Sequence, residues 1–555
     1  MAKKQKFSII FICALLFSCA NQQSPGGGEI DKIPPEIIES IPGNGTVNYA
    51  EDYFEISFSE YVDKRSAQDA IFVSPNISRG FEYNWSGRTL RVYFKEKLKE
   101  NTTYTITVGT GVADVNNQNK MMQPLLFAFS TGDKIDKGEL NGKVYSEKSN
   151  DMMIYAYGSE NKFDISNDKP DYVSQVGLDG SYKLLGLRSD NYKVLAVRDK
   201  LQDMIIDLDN DEFGIQFKEV ELDTTFNIID NVDFFITKLD TIEPKLSQAF
   251  MKDRNHLFIE FNEPVDSSKI NAQNFYLYDS TSNKRIDPIY FYKSGQKQNQ
   301  YILAISDSIE SGRTIYCHAE NIPDLFSNIN RGESIDFLPK SDPDTNSVLI
   351  ESIAGTLPDK KIDFIDSQFL IRFNDGVNYE SVEKAIIISD EKNVVQEFVS
   401  IKNDDANYLF RIKNKLKQNS EYTIKVNASI LPDAAGNVKD TVYTNKLTTS
   451  NELEFSGISG MVESDGANEM VVLNNVVSKE VSYSQKLSSN KKFNFNKVLP
   501  GKYLLWTYSD KNLNGKYDHG TISPFEFSEE FKFYPDTIKA LARWPVGDIL
   551  LNKKK

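Results

Sequence analysis

Phe54-Glu55-Ile56-Ser57-Phe58-Ser59-Glu60-Tyr61-Val62-Asp63 alternates apolar and polar residues and then runs into a polar-acidic stop. A period of two puts Phe54, Ile56 and Phe58 on one face, which is the signature of a half-buried β-strand ending in a turn. The chain writes this phrase twice more. Leu257-Phe258-Ile259-Glu260-Phe261-Asn262-Glu263-Pro264-Val265-Asp266 is one copy, and Phe369-Leu370-Ile371-Arg372-Phe373-Asn374-Asp375-Gly376-Val377-Asn378 is the other. A second phrase follows each. Asn101-Thr102-Thr103-Tyr104-Thr105-Ile106-Thr107-Val108 leads to Asp114-Val115-Asn116. Ser311-Gly312-Arg313-Thr314-Ile315-Tyr316 leads to Asp324-Leu325-Phe326-Ser327-Asn328, and Ser420-Glu421-Tyr422-Thr423-Ile424-Lys425-Val426 leads to Asp433-Ala434-Ala435-Gly436-Asn437. Short strands at regular spacing, with turn chemistry between them, predict β-sandwiches.

The combined pattern resembles the bacterial Ig-like domain of SbsA-type S-layer and surface proteins. The match is good over 33–132 and 346–450 and weaker over 241–340, where Cys317 and His318 follow Tyr316 in place of the expected residues. A different pair of phrases fills the rest. Gly138-Glu139-Leu140-Asn141-Gly142-Lys143-Val144-Tyr145 parallels Gly457-Ile458-Ser459-Gly460-Met461-Val462. Asp179-Gly180-Ser181-Tyr182 into Tyr192-Lys193-Val194-Leu195-Ala196 parallels Lys492-Phe493-Asn494-Phe495 into Lys502-Tyr503-Leu504-Leu505-Trp506. These resemble transthyretin-like, carboxypeptidase-regulatory-like modules, which are small antiparallel sandwiches serving as stalks, spacers and binding units. The motif marks a fold and is poor at marking a function.

The expected fold class is therefore all-β, a tandem array of antiparallel β-sandwich domains behind a signal peptide and a flexible tether. The boundaries read 1–18 signal peptide, 19–32 tether, 33–133 Ig-like, 134–239 transthyretin-like, 240–342 Ig-like, 343–452 Ig-like and 453–555 transthyretin-like. The 555 residues suit several domains, and the 27 Tyr and 35 Phe in short alternating runs suit sandwiches better than helices.

At the N-terminus, Lys3, Lys4 and Lys6 precede an apolar run from Phe7 to Phe17, too short to span a bilayer. Leu16-Phe17-Ser18-Cys19 resembles the lipobox of bacterial lipoproteins. That resemblance makes Cys19 the acylated mature N-terminus and, with Ala20 rather than an acid following it, implies the outer membrane, facing the periplasm or the cell surface. An ordinary signal peptide cleaved after Ala20 is the alternative. Residues 20–32, Ala-Asn-Gln-Gln-Ser-Pro-Gly-Gly-Gly-Glu-Ile-Asp-Lys, are too polar to fold alone and read as a tether.

Net charge is −16, so a basic nucleic-acid footprint is absent and the acyl anchor must hold the membrane without polybasic help. With Cys13 in the signal and Cys19 acylated, Cys317 stands alone, and its alternating context reads as a strand position. The expected partners are the membrane, through the anchor, and an envelope protein or glycan; nucleic acid is not expected.

His256, His318 and His519 are the only histidines, and none is spaced for a metalloprotease. No nucleophile elbow or phosphate loop is present. The chain is therefore expected not to be an enzyme; a surface hydrolase with a cryptic carboxylate pair is the rival reading, and a glycan-binding accessory lipoprotein another. The repeated Glu60, Glu263 and Asp375 read as turn residues. Trp85, Trp506 and Trp544 read as core or strand-edge residues rather than a sugar platform.

No cofactor is firmly indicated, but one loop carries metal chemistry. In Asp510-Lys511-Asn512-Leu513-Asn514-Gly515-Lys516-Tyr517-Asp518, oxygens at alternate positions followed by glycine resemble the first half of a calcium loop. The twelfth position is Thr521 instead of a bidentate glutamate, so Asp518 or backbone oxygens would have to complete the cage. A polar hairpin explains the same residues. Asp207, Asp209 and Asp211 form a weaker version, with Glu212 where the glycine stood.

Overall fold

The computed structural model describes residues 31–553, apart from 78, 147, 149–150, 160–163, 165–166, 224–226, 296, 307–308, 310–311 and 465. Cys19, the signal segment and nearly all of the tether lie outside the described residues. Almost every described element is a strand, and the sheets are antiparallel with a few parallel edge pairings. The all-β sandwich expectation holds.

Five separate hydrophobic cores follow one another along the chain, each enclosed by its own strands. In the first module Tyr53–Phe58 lies between Ile37–Ile41 and Thr89–Phe94, and Phe81–Ser86 forms the far edge. Phe54, Ile56 and Phe58 are fully buried. Each such side chain contributes about 1.5–3 kcal/mol. A second sheet, Ile71–Ser74, Thr103–Val108 and Leu125–Ser130, closes the sandwich. The third and fourth modules repeat the first sheet as Leu246–Met251, His256–Phe261, Gln300–Ala304, Tyr290–Lys293 and as Ile350–Gly355, Gln368–Phe373, Asn407–Ile412, Phe398–Lys402.

The stop residue of the quoted phrase has a definite task. Asp63 accepts from Ser66 N and caps the helix Lys64–Asp69; Asn378 caps Tyr379–Ala385 and Asp266 caps the short turn Ser267–Lys269. Such caps are worth about 1 kcal/mol each.

The third module departs from the register read off its sequence. Ile315, not Tyr316, occupies the place of Tyr104 and Tyr422, because Ala319 pairs with Phe275 as Val108 does with Ile71 and Val426 with Ile386. Cys317 then points inward, fully buried, where burial pushes its thiol up to about 12. His318 points outward and stacks on Tyr276 at 4.4 Å. Tyr104 and Tyr422 accept hydrogen bonds from the amides of Lys99 and Lys417, which isoleucine cannot do.

The second and fifth modules share one topology. Gly138–Tyr145 pairs antiparallel with Ser181–Leu187 and parallel with Ile228–Ile229; Ser456–Glu463 pairs the same way with Lys492–Val498 and Val546–Asn552. Met153–Gly158 joins Tyr172–Gln175 to Asp190–Arg198, as Glu469–Asn475 joins Ser482–Lys486 to Gly501–Ser509.

Two compact units emerge from the contacts: residues up to Thr237 together with His519–Ser528, and Lys238–Asp518 together with the segment from Glu529 onward. Within the first unit, Ile522 and Phe525 join a cluster built on Tyr155, Leu195 and Phe213, and Ser528 Oγ donates to Ile215 O at 2.8 Å. Within the second, the third and fourth modules are joined through a buried polar seam.

Candidate functional site: repeated carboxylate clusters and a module junction

The acid that ends each quoted strand does not stand alone. Six residues before the first strand of each Ig-type module lies an aspartate: Asp31 before Ile37, Asp240 before Leu246, Asp344 before Ile350. The aspartate opening the loop phrase (Asp114, Asp324 or Asp433) comes to the same corner. Carboxylate oxygens of Asp240, Glu263 and Asp324 lie within 4.8 Å of one another, as do those of Asp344, Asp375 and Asp433. In the first module Glu60 feels the charges of Asp114 and Asp31. An asparagine fastens each entry segment: Asn119 Nδ2 donates to Asp31 O at 3.1 Å, Asn328 to Asp240 O at 2.8 Å and Asn437 to Asp344 O at 3.2 Å.

Three of these acids are raised, while the amide of Asn117 leads the hydrogen bonds that hold Asp114 down. Burial first, and then the Asp240 charge and hydrogen bond, raise Glu263 to about 7. Burial also raises Glu60 and Asp344. The sequence reading gave Glu60, Glu263 and Asp375 a turn role and overlooked their partners; the constant six-residue spacing of the entry aspartates was the available signal.

The third cluster meets a cation. His256 is 6% exposed, and its Nδ1 lies 2.9 Å from Asp253 Oδ1 while its Nε2 lies 3.1 Å from Asp375 Oδ1. Burial opposes the imidazolium, but the hydrogen bonds to Asp253 and Asp375 outweigh it and carry the pKa up to about 10. Tyr292 Oη donates to Asp375 at 3.0 Å, and Phe291 N donates to Asp405 Oδ2 at 2.8 Å. Asp405 N returns a bond to Phe291 O at 3.2 Å. Phe258, Tyr292, Ile302 and Ala304 of the third module pack around Ala406 and Ala434 of the fourth. Gly376 is required here, because a Cβ would fall 2.5 Å from Tyr290 Cβ. Nothing in the sequence near His256 announced this junction, because its partner comes from another module.

The calcium-like loop closes on itself and on one residue the sequence reading missed. Asp510 Oδ1 and Oδ2 accept from Asn514 N at 3.1 Å and Gly515 N at 3.0 Å, and Gly515 takes the left-handed φ of 74° that the turn requires. Asn512 and Asn514 amides reach Asp518 at 2.7 and 3.1 Å. Glu529, 3% exposed, accepts from Lys511 N at 2.6 Å and Asp518 N at 3.3 Å. Burial, with Asp518 and Asp510 nearby, raises its pKa. Glu529 lies eighteen residues beyond Lys511. A contiguous twelve-residue template therefore missed this carboxylate. Oxygens of this kind are the ligands a hard cation such as calcium takes, but those of the Asp510, Asp518 and Glu529 carboxylates do not all lie within 4.8 Å of one another.

In the second module the counterpart of Asp510 is Asp199, not Asp207. Lys200 N donates to Asp211 at 3.1 Å just as Lys511 N donates to Glu529, and Asp199 accepts from Gln202 N, Met204 N and Tyr155 Oη. Asp207 and Asp209 belong to the adjoining turn: Asp209 N and Asn210 Nδ2 donate to Asp207, and Asp207 N donates to buried Asp211 at 2.9 Å.

The tryptophans divide. Trp506 is buried, and Trp85 is half-buried against Phe58 at 6.2 Å. Trp544 is 71% exposed beside Leu541.

The family model "Bacterial Ig-like domain" matches residues 31–131 and 351–456, which are the first and fourth modules. No curated protein matches the sequence. Among solved structures, surface layer protein SbsC, domains 1–6, is 10% identical, with 91% of this chain and 67% of that one covered and a TM-score of 0.16. The chain spans 45% of the N-terminal part of SbsC, at 13% identity, 38% coverage of this chain and a TM-score of 0.17. The Bacteroides ovatus protein SGBP-B of a mixed-linkage glucan utilization locus, solved with a mixed-linkage heptasaccharide, is 11% identical over 70% of this chain and 89% of its own, with a TM-score of 0.18. Scores at this level assign no activity.

Proposed function

We propose that this is a non-enzymatic, lipid-anchored cell-envelope protein whose Ig-like and transthyretin-like sandwiches form an arm for scaffolding or adhesion. The observation that carries the reading is the junction of the third and fourth modules. A spacer must transmit position from one module to the next, and a seam combining a charged hydrogen-bonded pair, a backbone exchange and an apolar cluster does this where a bare linker would not. Anchoring at Cys19 in the outer membrane and calcium at Asp510, Asn512, Asn514, Asp518 and Glu529 belong to the same proposal. Asp207, Asp209 and Asp211 have the weaker claim to an ion.

The purified protein should show no turnover on ester, peptide or glycoside substrates. Reproducible hydrolysis that disappears when one residue of a carboxylate cluster is replaced (Asp344→Asn or Glu263→Gln) would favour the hydrolase reading and overturn this one. Trp544 supports a glycan-binding variant of the proposal, since a large exposed indole is a stacking surface. Loss of retention on a polysaccharide affinity gel for Trp544→Ala, with Trp506 intact, would establish it.

A further inference from the structure

The three Ig-type modules present the same sheet face with three different chemistries. In the third module the central outward row is Phe250, Phe258, Ile302 and Tyr292, joined in register across four strands. The fourth module covers this row with Ala406 and Ala434, the latter from its Asp433-Ala434-Ala435-Gly436-Asn437 loop. The equivalent row in the first module is Ile41, Glu55, Arg91 and Asn84, where Arg91 and Glu55 form an ion pair. That row is built to face water. In the fourth module the row is Ala354, Leu370, Leu409 and Ile401, apolar throughout. Leu370 is 37% and Ile401 39% exposed, and neighbouring Val399 is 48% exposed. The fourth module thus carries the kind of face that its neighbour has covered, and carries it open.

A complementary feature is also open. The third-module loop that corresponds to the plugging loop of the fourth is Asp324-Leu325-Phe326-Ser327-Asn328. Leu325 and Phe326 are 62% and 61% exposed. At the covered junction the plug brings its carboxylate cluster to a cation on the receiving face, Asp375 to His256. The same relation is available here. Beside the plug lies the cluster Asp240, Glu263 and Asp324, and beside the open face lies Arg411, which pairs in register with both Gln368, the counterpart of His256, and Val399. Its side chain is 54% exposed and holds only a long, exposed contact of 3.9 Å with Asp366.

We propose that the outer sheet face of the fourth module receives the Leu325–Phe326 loop of a second copy of this chain, repeating between molecules the joint that holds the third and fourth modules together within one. Plug and face lie on different modules, so the contact is heterologous and adds copies head to tail rather than closing a dimer. The inference uses the module array alone and does not depend on the lipid anchor or on calcium.

Sedimentation of the purified, anchor-free full-length chain over a range of concentrations tests it. The natural chain should grow beyond a dimer as concentration rises. Leu370→Lys on the face and Phe326→Lys on the plug should each weaken association by about tenfold or more, which corresponds to about 1.4 kcal/mol. Both sites are exposed, and circular dichroism verifies that the variants fold. Asn84→Lys, on the polar face of the first module, should leave association unchanged. The deciding measurement mixes the two variants: one retains a sound plug and the other a sound face, so they should form a 1:1 pair and stop there. A natural chain that remains monomeric, single variants that assemble like it, or a mixture that fails to pair would each overturn the proposal.

Discussion

His256 and Asp375 stand 119 residues apart in the chain, yet Nε2 of one lies 3.1 Å from a carboxylate oxygen of the other, both almost wholly buried. The pair ties the third module to the fourth; loss of His256 leaves Asp375 buried beside Asp344 and Asp433 without its cation, whereas loss of Asp375 still leaves His256 paired with Asp253. His256→Ala should therefore cost about 3–5 kcal/mol in the unit that contains it, the range for breaking a buried ion pair from one side. Calorimetry of the full chain would register this as a lower transition for that unit. A change below about 1 kcal/mol would mean that the apolar cluster around Ala406 and Ala434 holds the junction unaided.

The pH dependence of the same junction has a definite sign. The folded pKa of His256 is raised, to about 10 against 6.5 for the free side chain. Its contribution is thus fully present below 6.5 and is lost as pH rises through 10. Asp253 is shifted down, so its contribution is present above the ordinary aspartate value and lost as pH falls. Melting temperature measured from pH 6 to 10.5 should decline in the natural chain, and His256→Gln should flatten that decline. Parallel curves for the two proteins would show that the imidazolium is not the titrating group.

Glu263 makes the opposite case among the acids. Its pKa of about 7 lies above the ordinary glutamate value, so neutrality of this group favours the fold. The stability it contributes is present below about 4.5 and lost as pH rises through 7. In chelator at pH 8, Glu263→Gln should melt at a higher temperature than the natural chain, and at pH 5 the gap should close. A lower melting point for the variant at pH 8 would show that the carboxylate is compensated by a cation.

These contrasts mark which parts of the molecule were readable in advance. A strand whose inward residues recur every second position announces itself locally, and Phe54, Ile56 and Phe58 are buried as that period demands. The stop residues Asp63, Asp266 and Asn378 also act locally, as caps. The junction and the carboxylate clusters are different, because their partners are brought together from distant segments. Asp344, Asp375 and Asp433 meet only once the module has folded, and Glu529 completes a loop from another strand connection. Trp544 looked like its two companions in composition and differs from them only in what covers it. Cys317 fell in the anticipated strand, but the register slip from Tyr316 to Ile315 required the pairing itself.

The proposed acyl anchor gives a test independent of the folded modules. Cys19→Ala should abolish palmitate labelling and release the protein into the soluble fraction or leave its signal uncleaved. Membrane association that survives washing without detergent, with labelling unchanged, would exclude Cys19 as the anchor.

Calcium at the last loop can be argued from its oxygens. Asp510, Asp518 and Glu529 bring three carboxylates to one turn, and Glu529 is held in its burial by two backbone amides. Hydrogen bonds from Asn512, Asn514 and the amides of Lys511, Asn514, Gly515 and Asp518 offset the mutual repulsion of these groups, and a bound cation would offset it further. An ion that binds only the folded state stabilises it by RT ln(1 + [L]/Kd), about 2.7 kcal/mol at a hundredfold excess over Kd. Millimolar calcium should then raise the melting transition of the unit containing Asp510 in the full chain, and chelator should reverse the rise. Asp510→Ala and Glu529→Gln should each erase the increment, while Asp209→Asn should leave it intact, because Asp209 lies in the separate turn of the second module. Magnesium should do less, since it demands stricter octahedral geometry and gives up its waters reluctantly. A transition indifferent to calcium and chelator alike, in the natural chain and both variants, would leave the turn as a polar hairpin held by its own hydrogen bonds.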